Sequence, residues 1–136
     1  MKIIVCLDDD YGMLFNDRRQ SMDSALRERI AQITKGSVLL MNSYSARQFS
    51  DFPGNMVVDE CFLDKAEGNG YYFVENTDIT PYAPKISTLI IYRWNRNYPQ
   101  DVSFPVSLLC DKQNLVSVYN FEGHSHNCIT EEVYSL

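Results

Sequence analysis

Acidic residues at the ends of two predicted strands are the first candidates for chemistry. Asp8, Asp9 and Asp10 follow the apolar run KIIVCL, and Asp59 follows Val57 and Val58. Open α/β sheets bind ligands beyond the carboxyl ends of their strands, and paired carboxylates there can hold Mg²⁺. The triplet Asp8 to Asp10 therefore allows a magnesium site, with the acids of a solvated loop as the alternative interpretation.

The sequence His124-Ser125-His126 raises a second possibility, zinc. Two histidines one residue apart can chelate a metal, but a catalytic zinc site takes three protein ligands. The chain has no further histidine. We therefore expect no metal here, and we interpret both residues as polar tips of a hairpin loop.

Basic residues cluster at two places, Arg18-Arg19 and Arg93-Trp94-Asn95-Arg96. An arginine beside an aromatic ring can bind a phosphate or stack on a base. More often such arginines form ion pairs with nearby acids. The 18 acidic residues of this chain favour the ion-pair interpretation.

Charge and cysteine usage limit the compartment and the partners. The net charge of −6 repels nucleic acid and anionic membranes, so neither is an expected partner. The four cysteines are far apart in sequence and form no Cys-x-x-Cys pair, as expected of small buried side chains in a reducing cytoplasm: Cys6, Cys61, Cys110 and Cys128. A small-molecule ligand, a protein partner or a second copy of the chain all remain open.

Hydrophobic patterning predicts strands that first alternate with helices and then follow one another. The predicted strands cover residues 2–7, 38–41, 56–58, 71–74, 88–94, 115–121 and 128–134. Residues 8–17 are predicted to be a loop, 60–66 a short acidic helix, and 75–86 a loop or one helical turn. The last two strands, joined by EGHSHN, suit an antiparallel hairpin.

The most regular helical pattern begins near residue 21. Ser21 is the predicted N-cap, and Asp23 in the first turn complements the helix dipole. One apolar face is formed by Met22, Leu26, Ile30 and Ile33. Lys35-Gly36 supplies the stop, and Ser45 is the predicted cap of a second, short helix through Phe49.

Several local sequences resemble dihydrofolate reductase in the same order. They are VLLMNSYSARQF (38–49), YYFVEN followed by LIIYRW, and DVSFP (101–105) before the final hairpin. The resemblance covers the whole chain. It implies one α/β domain over residues 1–136, a three-layer sandwich with a mainly parallel central sheet and a C-terminal antiparallel hairpin.

The resemblance also implies a site for NADPH and a pterin-like substrate. Asp23 matches the catalytic carboxylate that binds the pteridine and assists its protonation. The implied cofactor-binding positions lie in the first loop, after the second strand and after the fourth strand: Gly12, Met13, Asn42, Ser43, Ser45, Glu75 and Asn76.

Two departures from the family pattern bear on function. Glu75-Asn76 stands where the family has Gly-Gly, whose backbone approaches the cofactor pyrophosphate, and a carboxylate there repels phosphate. Tyr92 stands where the family has a threonine that supports substrate binding. Two hypotheses follow: a reductase-like protein with a nucleotide- or pterin-sized cleft, or a non-catalytic binding module on the same fold. A cleft filled by Glu75 and Tyr92 would favour the second.

The acids Asp8 to Asp10 together with Asp59 also resemble the receiver domain of two-component signalling, in which an aspartate accepts phosphate. A receiver ends in strand–helix pairs, whereas this chain is predicted to end in a strand hairpin. A receiver-type signalling domain is therefore the less favoured alternative.

Overall fold

The structure is a computed structural model that describes residues 1–65, 68, 70–110 and 114–136. Its strands are β1 (Lys2–Leu7), β2 (Gly12–Phe15), β3 (Arg18–Arg19), β4 (Val38–Met41), β5 (Asn55–Val58), β6 (Tyr71–Phe73), β7 (Thr88–Arg93), β8 (Val102–Ser103), β9 (Asn114–Phe121) and β10 (Ile129–Ser135). Its α-helices are α1 (Ser24–Ile33), α2 (Ser43–Ala46) and α3 (Ser107–Cys110). Within these residues, no helix is long and apolar enough to cross a membrane.

Seven of the described strands form one sheet in the order β5-β4-β6-β1-β7-β10-β9. The first five strands in this order, from β5 through β7, run parallel to one another. Helical or irregular crossovers connect them, as parallel pairing requires. The last two strands add antiparallel pairs at one edge, β7 with β10 and β10 with β9. The predicted mainly parallel sheet with a C-terminal antiparallel hairpin is confirmed.

Apolar side chains cover both faces of this sheet, which gives three layers. On one face, α1 packs Leu26 and Ile30 against a cluster that includes Phe49 and Phe73. On the other face, short helical turns and loops supply a second cluster: Phe62, Leu63, Ile79, Ile86, Phe104 and Leu109. Burying each such side chain contributes roughly 1.5–3 kcal/mol, so these two clusters are the main source of stability.

Helix α1 begins later than the sequence predicted. Its N-cap is Asp23, whose side chain accepts the backbone N–H of Ala25 at 2.8 Å, so the prediction of Ser21 as the cap was wrong. A carboxylate oxygen satisfies an otherwise unpaired helical N–H as well as a hydroxyl does. Met22 consequently lies before the helix and is 49% exposed. The predicted stop is confirmed, because Thr34 is the C-cap and Gly36 has a φ of +81°.

The first predicted loop instead contains β2, a strand of a second, smaller sheet, and β3 follows directly after it. Strand β2 pairs with both β3 and β8 in antiparallel fashion. Asn16 and Asp17 join β2 to β3 with φ angles of 52° and 60°, the backbone of a tight hairpin turn. The loop prediction missed this hairpin because polar, turn-forming residues flank β2, and β3 consists of two arginines rather than an apolar run.

Other short elements also differ from their predictions. Asn42, not Ser45, caps α2, since its side chain accepts the backbone N–H of Ser45. The predicted acidic helix is a 3₁₀ turn over Phe62–Asp64, and residues 66, 67 and 69 lie outside the described part of the chain. The segment with two prolines forms a 3₁₀ helix at Thr80–Lys85.

The expectation that the cysteines are buried was wrong for two of them. Cys61 and Cys128 are exposed, and Cys6 is partly buried. The side chain of Cys110 lies outside the described part of the chain. Both exposed thiols lie in segments that connect the strands, outside the buried core of the sheet.

Candidate functional site

The carboxyl ends of four neighbouring strands bring polar and aromatic residues together. Asp8 follows β1, Asn42 follows β4, Trp94 follows β7, and Glu75 lies two residues after β6. Three of these side chains, Asp8, Asn42 and Glu75, are buried polar groups. This edge is where open α/β sheets commonly bind ligands, so it is the candidate site.

Glu75 is fully occupied by partners from within the chain. Arg19 donates from Nε to Oε2 at 2.8 Å and from Nη2 to Oε1 at 3.1 Å. Ser45 Oγ donates to Oε1 at 2.8 Å, and Gln48 Nε2 donates to Oε2 at 3.0 Å. We call these four residues the Glu75 cluster. Such a two-bonded pair between an arginine and a carboxylate is both directional and strong.

Arg19 also holds strand β3 against Tyr44, at the carboxyl ends of the central strands. Its guanidinium lies 4.4 Å from the centre of the Tyr44 ring, and its Nη2 donates to the Tyr44 carbonyl at 3.2 Å. The Tyr44 hydroxyl in turn accepts the Arg19 backbone N–H at 2.8 Å. Burial alone would lower the pKa of Arg19, but the Glu75 carboxylate raises it, so the guanidinium stays charged.

Asp8 acts as a structural acceptor rather than as a metal ligand. Its fully buried carboxylate accepts backbone N–H groups from Asp10, Gly12 and Tyr98 and the Gln20 side-chain amide. Among the described residues, no group of three or more histidine, cysteine or acidic side chains could hold a metal ion.

The proposed pairing of the strand-end acids across the sheet was also wrong. Asp59 ends β5, which β4 and β6 separate from the β1 strand that Asp8 ends. Asp8 and Asp59 therefore do not share one site. The receiver-type alternative, which requires Asp59 beside the acids that follow β1, therefore loses its geometric basis.

Asp23 belongs to a second cluster, at the beginning of α1. Its side chain is 3% exposed and accepts the backbone N–H groups of His124 and Ser125, each at 2.9 Å. His126 Nδ1 lies 2.8 Å from Asp23 Oδ2. Burial alone would raise the pKa of Asp23, but the hydrogen bonds from His124, His126 and Ser125 together lower it well below its ordinary value. Asp23 is therefore a fixed carboxylate anchor.

The interpretation of His126 as a polar hairpin tip was wrong. It is 4% exposed, and its ring stacks on Trp94 with the centroids 4.6 Å apart. Because the Asp23 carboxylate is the partner of Nδ1, that nitrogen carries a proton. Ser21 Oγ lies 2.9 Å from Nε2, and the Tyr98 hydroxyl lies 3.1 Å from it. We call this the Asp23–His126 cluster.

Hydroxyl, imidazole and carboxylate in this order could in principle relay a proton. A relay also needs space for a substrate beside the hydroxyl. The cavity that Ser21 lines has a volume of about 10 Å³, and its other walls include Cys6, Glu75 and Trp94. That volume holds about one water molecule. The cluster therefore ties the hairpin loop to α1, and the cavity beside Ser21 is too small for a substrate.

Burial also makes Cys6 a poor nucleophile. The pKa of its thiol is raised well above the ordinary value, first by burial and then by the nearby Glu75 carboxylate. A thiol must ionise to react, so a raised pKa lowers its reactivity. Cys6 is part of the wall of the cavity.

The remaining cofactor positions implied by the resemblance are bound within the chain. The Asn42 side-chain amide donates to Asn76 Oδ1 at 2.7 Å, and the Ser43 N–H donates to Glu60 Oε1 at 2.9 Å. The Gly12 N–H donates to Asp8 at 2.7 Å. Glu75 and Ser45 meet directly, whereas Asp23 makes its contacts in the separate cluster described above.

A hollow of about 270 Å³ adjoins the Glu75-Asn76 turn and is also lined by Met13 and Asp78. Its described lining residues include the carboxylates of Glu75 and Asp78 and no cation. A pyrophosphate carries negative charge and is bound best by cations or by free backbone N–H groups. The hollow thus opposes an anionic ligand.

Tyr92 is fully buried and packs on the face of the large sheet that α1 covers. Its hydroxyl donates to Glu131 Oε2 at 2.8 Å, and Arg29 binds both oxygens of Glu131 at 2.8 and 3.0 Å. Burial first, and then the Glu131 charge, raise the pKa of Tyr92 above its ordinary value, so the phenol stays protonated and donates. The position where the resemblance implies a threonine is therefore occupied by the Tyr92 ring and its hydrogen-bonding hydroxyl.

Sequence reasoning missed Arg19, Gln48, Tyr98 and His126 as members of these clusters. Their partners are 27 to 103 residues away, and no local pattern connects them. The available signal was the acid Glu75 directly after a predicted buried strand, because a buried carboxylate needs cations or hydrogen-bond donors as partners. The ion-pair interpretation of the basic residues agrees with the structure for Arg19, which pairs with Glu75, and for Arg93, which pairs with Glu132.

Comparison with known proteins identifies the fold. No protein-family model matches the chain, and no curated protein matches it by sequence. Among solved structures, dihydrofolate reductase from Enterococcus faecalis in complex with NADP(H) and RAB-propyl matches with a TM-score of 0.66. The match covers 98% of this chain and 94% of that chain at 12% sequence identity. The chain therefore has a dihydrofolate reductase-like fold.

Proposed function

We propose that this chain is a non-catalytic binding module on a dihydrofolate reductase-like fold. The observation that carries the proposal is the Glu75 cluster. In it, Arg19, Ser45 and Gln48 donate hydrogen bonds to both oxygens of the Glu75 carboxylate at the strand ends. A nicotinamide or pterin ring needs a cleft at this edge. Here Glu75 stands at this edge, surrounded by side chains that already satisfy its carboxylate.

Opening this edge would be energetically unfavourable. Glu75 is 8% exposed, so removing Arg19 from it would leave a buried carboxylate without its cation. Breaking a buried ion pair in this way costs roughly 3–5 kcal/mol. A ligand would have to supply that energy before it gained any contact. Reversible entry of NADPH is therefore not expected.

A groove between α1 and the segment after α2 offers a binding site instead. It has a volume of about 440 Å³, with Ala31, Phe49, Phe52 and Pro53 as apolar walls and Arg27 at its rim. Small-molecule sites are typically 300–1,000 Å³ and mostly apolar, with a few polar groups for orientation. Phe52 packs edge to face against the buried ring of Phe49, and aromatic rings of this kind pair with planar aromatic molecules.

The reductase hypothesis is tested by following NADPH oxidation in the presence of dihydrofolate. We expect NADPH to be oxidised no faster than in the absence of the protein. A dihydrofolate reductase under the same conditions consumes both NADPH and dihydrofolate. Dihydrofolate-dependent oxidation that is abolished in Asp23→Asn would overturn the non-catalytic proposal.

The groove is tested by ligand-observed NMR with a library of planar aromatic fragments. An Ala31→Trp variant fills the groove, and Val58→Trp places the same side chain on the exposed edge strand β5, where Val58 is 46% exposed. We expect binders to be lost with Ala31→Trp and kept with Val58→Trp. Fragments that bind all three proteins equally would exclude the groove as the site.

A further inference from the structure

The exposed edge of the large sheet is unusual in its composition. Strand β9 ends the sheet, and no described strand pairs with its outer side. Its residues from Asn114 to Asn120 are all exposed. Four of them are large and apolar: Leu115 (48% exposed), Val116 (62%), Val118 (51%) and Tyr119 (47%).

An open edge of this kind presents unpaired N–H and C=O groups to other chains. Natural proteins protect such edges with lysines, prolines, charges or bulges. The stretch NLVSVYNF contains no lysine, proline or charged residue, in a chain whose net charge is −6. Two copies that repel each other elsewhere could therefore approach along this neutral strand.

The order of residues in β9 reads similarly in both directions about Ser117. Asn114 and Asn120 are equidistant from it, as are Leu115 and Tyr119, and Val116 and Val118. Two antiparallel copies related by a twofold axis there would place apolar residues opposite apolar ones and asparagine opposite asparagine. Such self-complementarity is the requirement for a symmetric dimer interface.

We infer that a second copy of this chain pairs with β9, antiparallel and about a twofold axis near Ser117, and joins two seven-stranded sheets into one. The four apolar side chains present on the order of 300 Å² per copy, the size of patch that marks interaction sites. With the backbone and the polar residues, the dimer would bury on the order of 1,000 Å² in total, at the lower limit of specific interfaces.

A β-bulge limits the strength of this pairing. The register of β9 against β10 shifts between Val133 and Tyr134, which leaves Ser117–Phe121 as the regular part of the strand. Because the bulge interrupts the ladder near the proposed axis, we expect a dissociation constant in the micromolar range or above, rather than a permanent dimer. The inference is independent of the closed strand ends and of the proposed binding function.

Sedimentation of the full chain over a range of concentrations tests the inference. We expect a reversible monomer–dimer equilibrium in the wild type and a monomer in Val118→Lys, which puts a charge on the paired edge. Val58→Lys is the matched control on the opposite edge, at 46% exposure, and it should dimerise like the wild type. Thermal unfolding of all three proteins verifies that they fold.

Two results of the sedimentation experiment would overturn the inference. One is a wild-type chain that stays monomeric at about 1 mM, where even millimolar association is visible. The other is an open series of oligomers, which a closed twofold pair excludes. The register is tested by disulfide formation in a Ser117→Cys variant with Cys61 and Cys128 replaced by serine, since residues on the axis meet their own copies. Amide exchange of β9 that does not slow with rising protein concentration would also contradict the pairing.

Discussion

Arg19 and Glu75, 56 residues apart, meet through two hydrogen bonds of 2.8 and 3.1 Å across the carboxyl ends of the central strands. The arginine comes from a two-residue strand in the small sheet, and the acid follows β6 of the large sheet. The pair therefore ties the small sheet down onto the edge at which a ligand would have to enter.

Loss of the cation from this pair should be costly. In Arg19→Met the Glu75 carboxylate is left buried with only neutral donors, so we expect a loss of about 3–5 kcal/mol in the free energy of unfolding. Lys65→Met removes the cation of an ion pair between exposed side chains, Lys65 and Asp59, and should cost less than about 1 kcal/mol. Urea unfolding of both variants measures the difference. Equal effects would mean that Glu75 is effectively solvated.

The pair should also behave as a unit. In the double variant Arg19→Met with Glu75→Gln, neither charge remains, so we expect a smaller loss than the sum of the two single variants, by about 1 kcal/mol or more. A complete double-mutant cycle by urea unfolding gives this coupling. Strict additivity would show that the two side chains do not stabilise each other.

Asp23 should make stability depend on pH. Hydrogen bonds lower its folded-state pKa below the ordinary 3.8, so the unfolded state takes up its proton first. The stabilisation is complete well above pH 3.8 and is lost as pH falls from there toward the folded-state pKa. Asp23→Asn should therefore lose about 2–4 kcal/mol at pH 7 and less at pH 3.

Urea midpoints at pH 7, 4 and 3 measure this dependence. Asp51→Asn, at an exposed position, is the control and should follow the wild type at every pH. If Asp23→Asn were to run parallel to the wild type across the range, the carboxylate would not be the source of the pH dependence.

Gly123 should tolerate no side chain, because it lies against the Asp23–His126 cluster. A Cβ there would stand 2.7 Å from the His126 carbonyl oxygen and 2.8 Å from Asp23 Oδ2. Since the carbonyl is backbone, the hairpin loop itself must move, and we expect Gly123→Ala to cost about 2 kcal/mol or more. Gly68→Ala is the control, since a Cβ at Gly68 meets nothing within 4 Å. Thermal unfolding compares the two, and equal midpoints would contradict the described packing.

The sequence predicted the large sheet because its strands are long apolar runs, and one such run, Lys2–Leu7, is almost wholly buried. The terminal hairpin followed from two such runs around a polar loop. The hairpin of β2 and β3 was missed because β2 lies between polar, turn-forming residues and β3 is a pair of arginines rather than an apolar run. The start of α1 was misplaced because serine and aspartate are both good N-caps, and the tertiary contacts of Asp23 decide between them.

The candidate site was harder to predict than the fold. Glu75 was identified as the residue that replaces a glycine, yet its partner Arg19 lies in a segment predicted to be loop. His126 was assigned to a solvated tip, because nothing near it in sequence shows that Asp23 would reach it from α1. Long-range pairing of polar residues leaves no periodic pattern, so these contacts required the structure.

The most direct test of the central claim is a thermal-shift titration of the purified chain with NADPH, NADP, dihydrofolate and methotrexate, with a dihydrofolate reductase as the positive control. A ligand that binds the native state at a hundredfold excess over its dissociation constant stabilises it by about 2.7 kcal/mol, which raises the melting temperature by several degrees. Because the Glu75 cluster fills the strand ends, we predict no shift with any of the four at millimolar concentration. A saturable rise with NADPH would show that the strand ends still admit the cofactor, and would contradict the account.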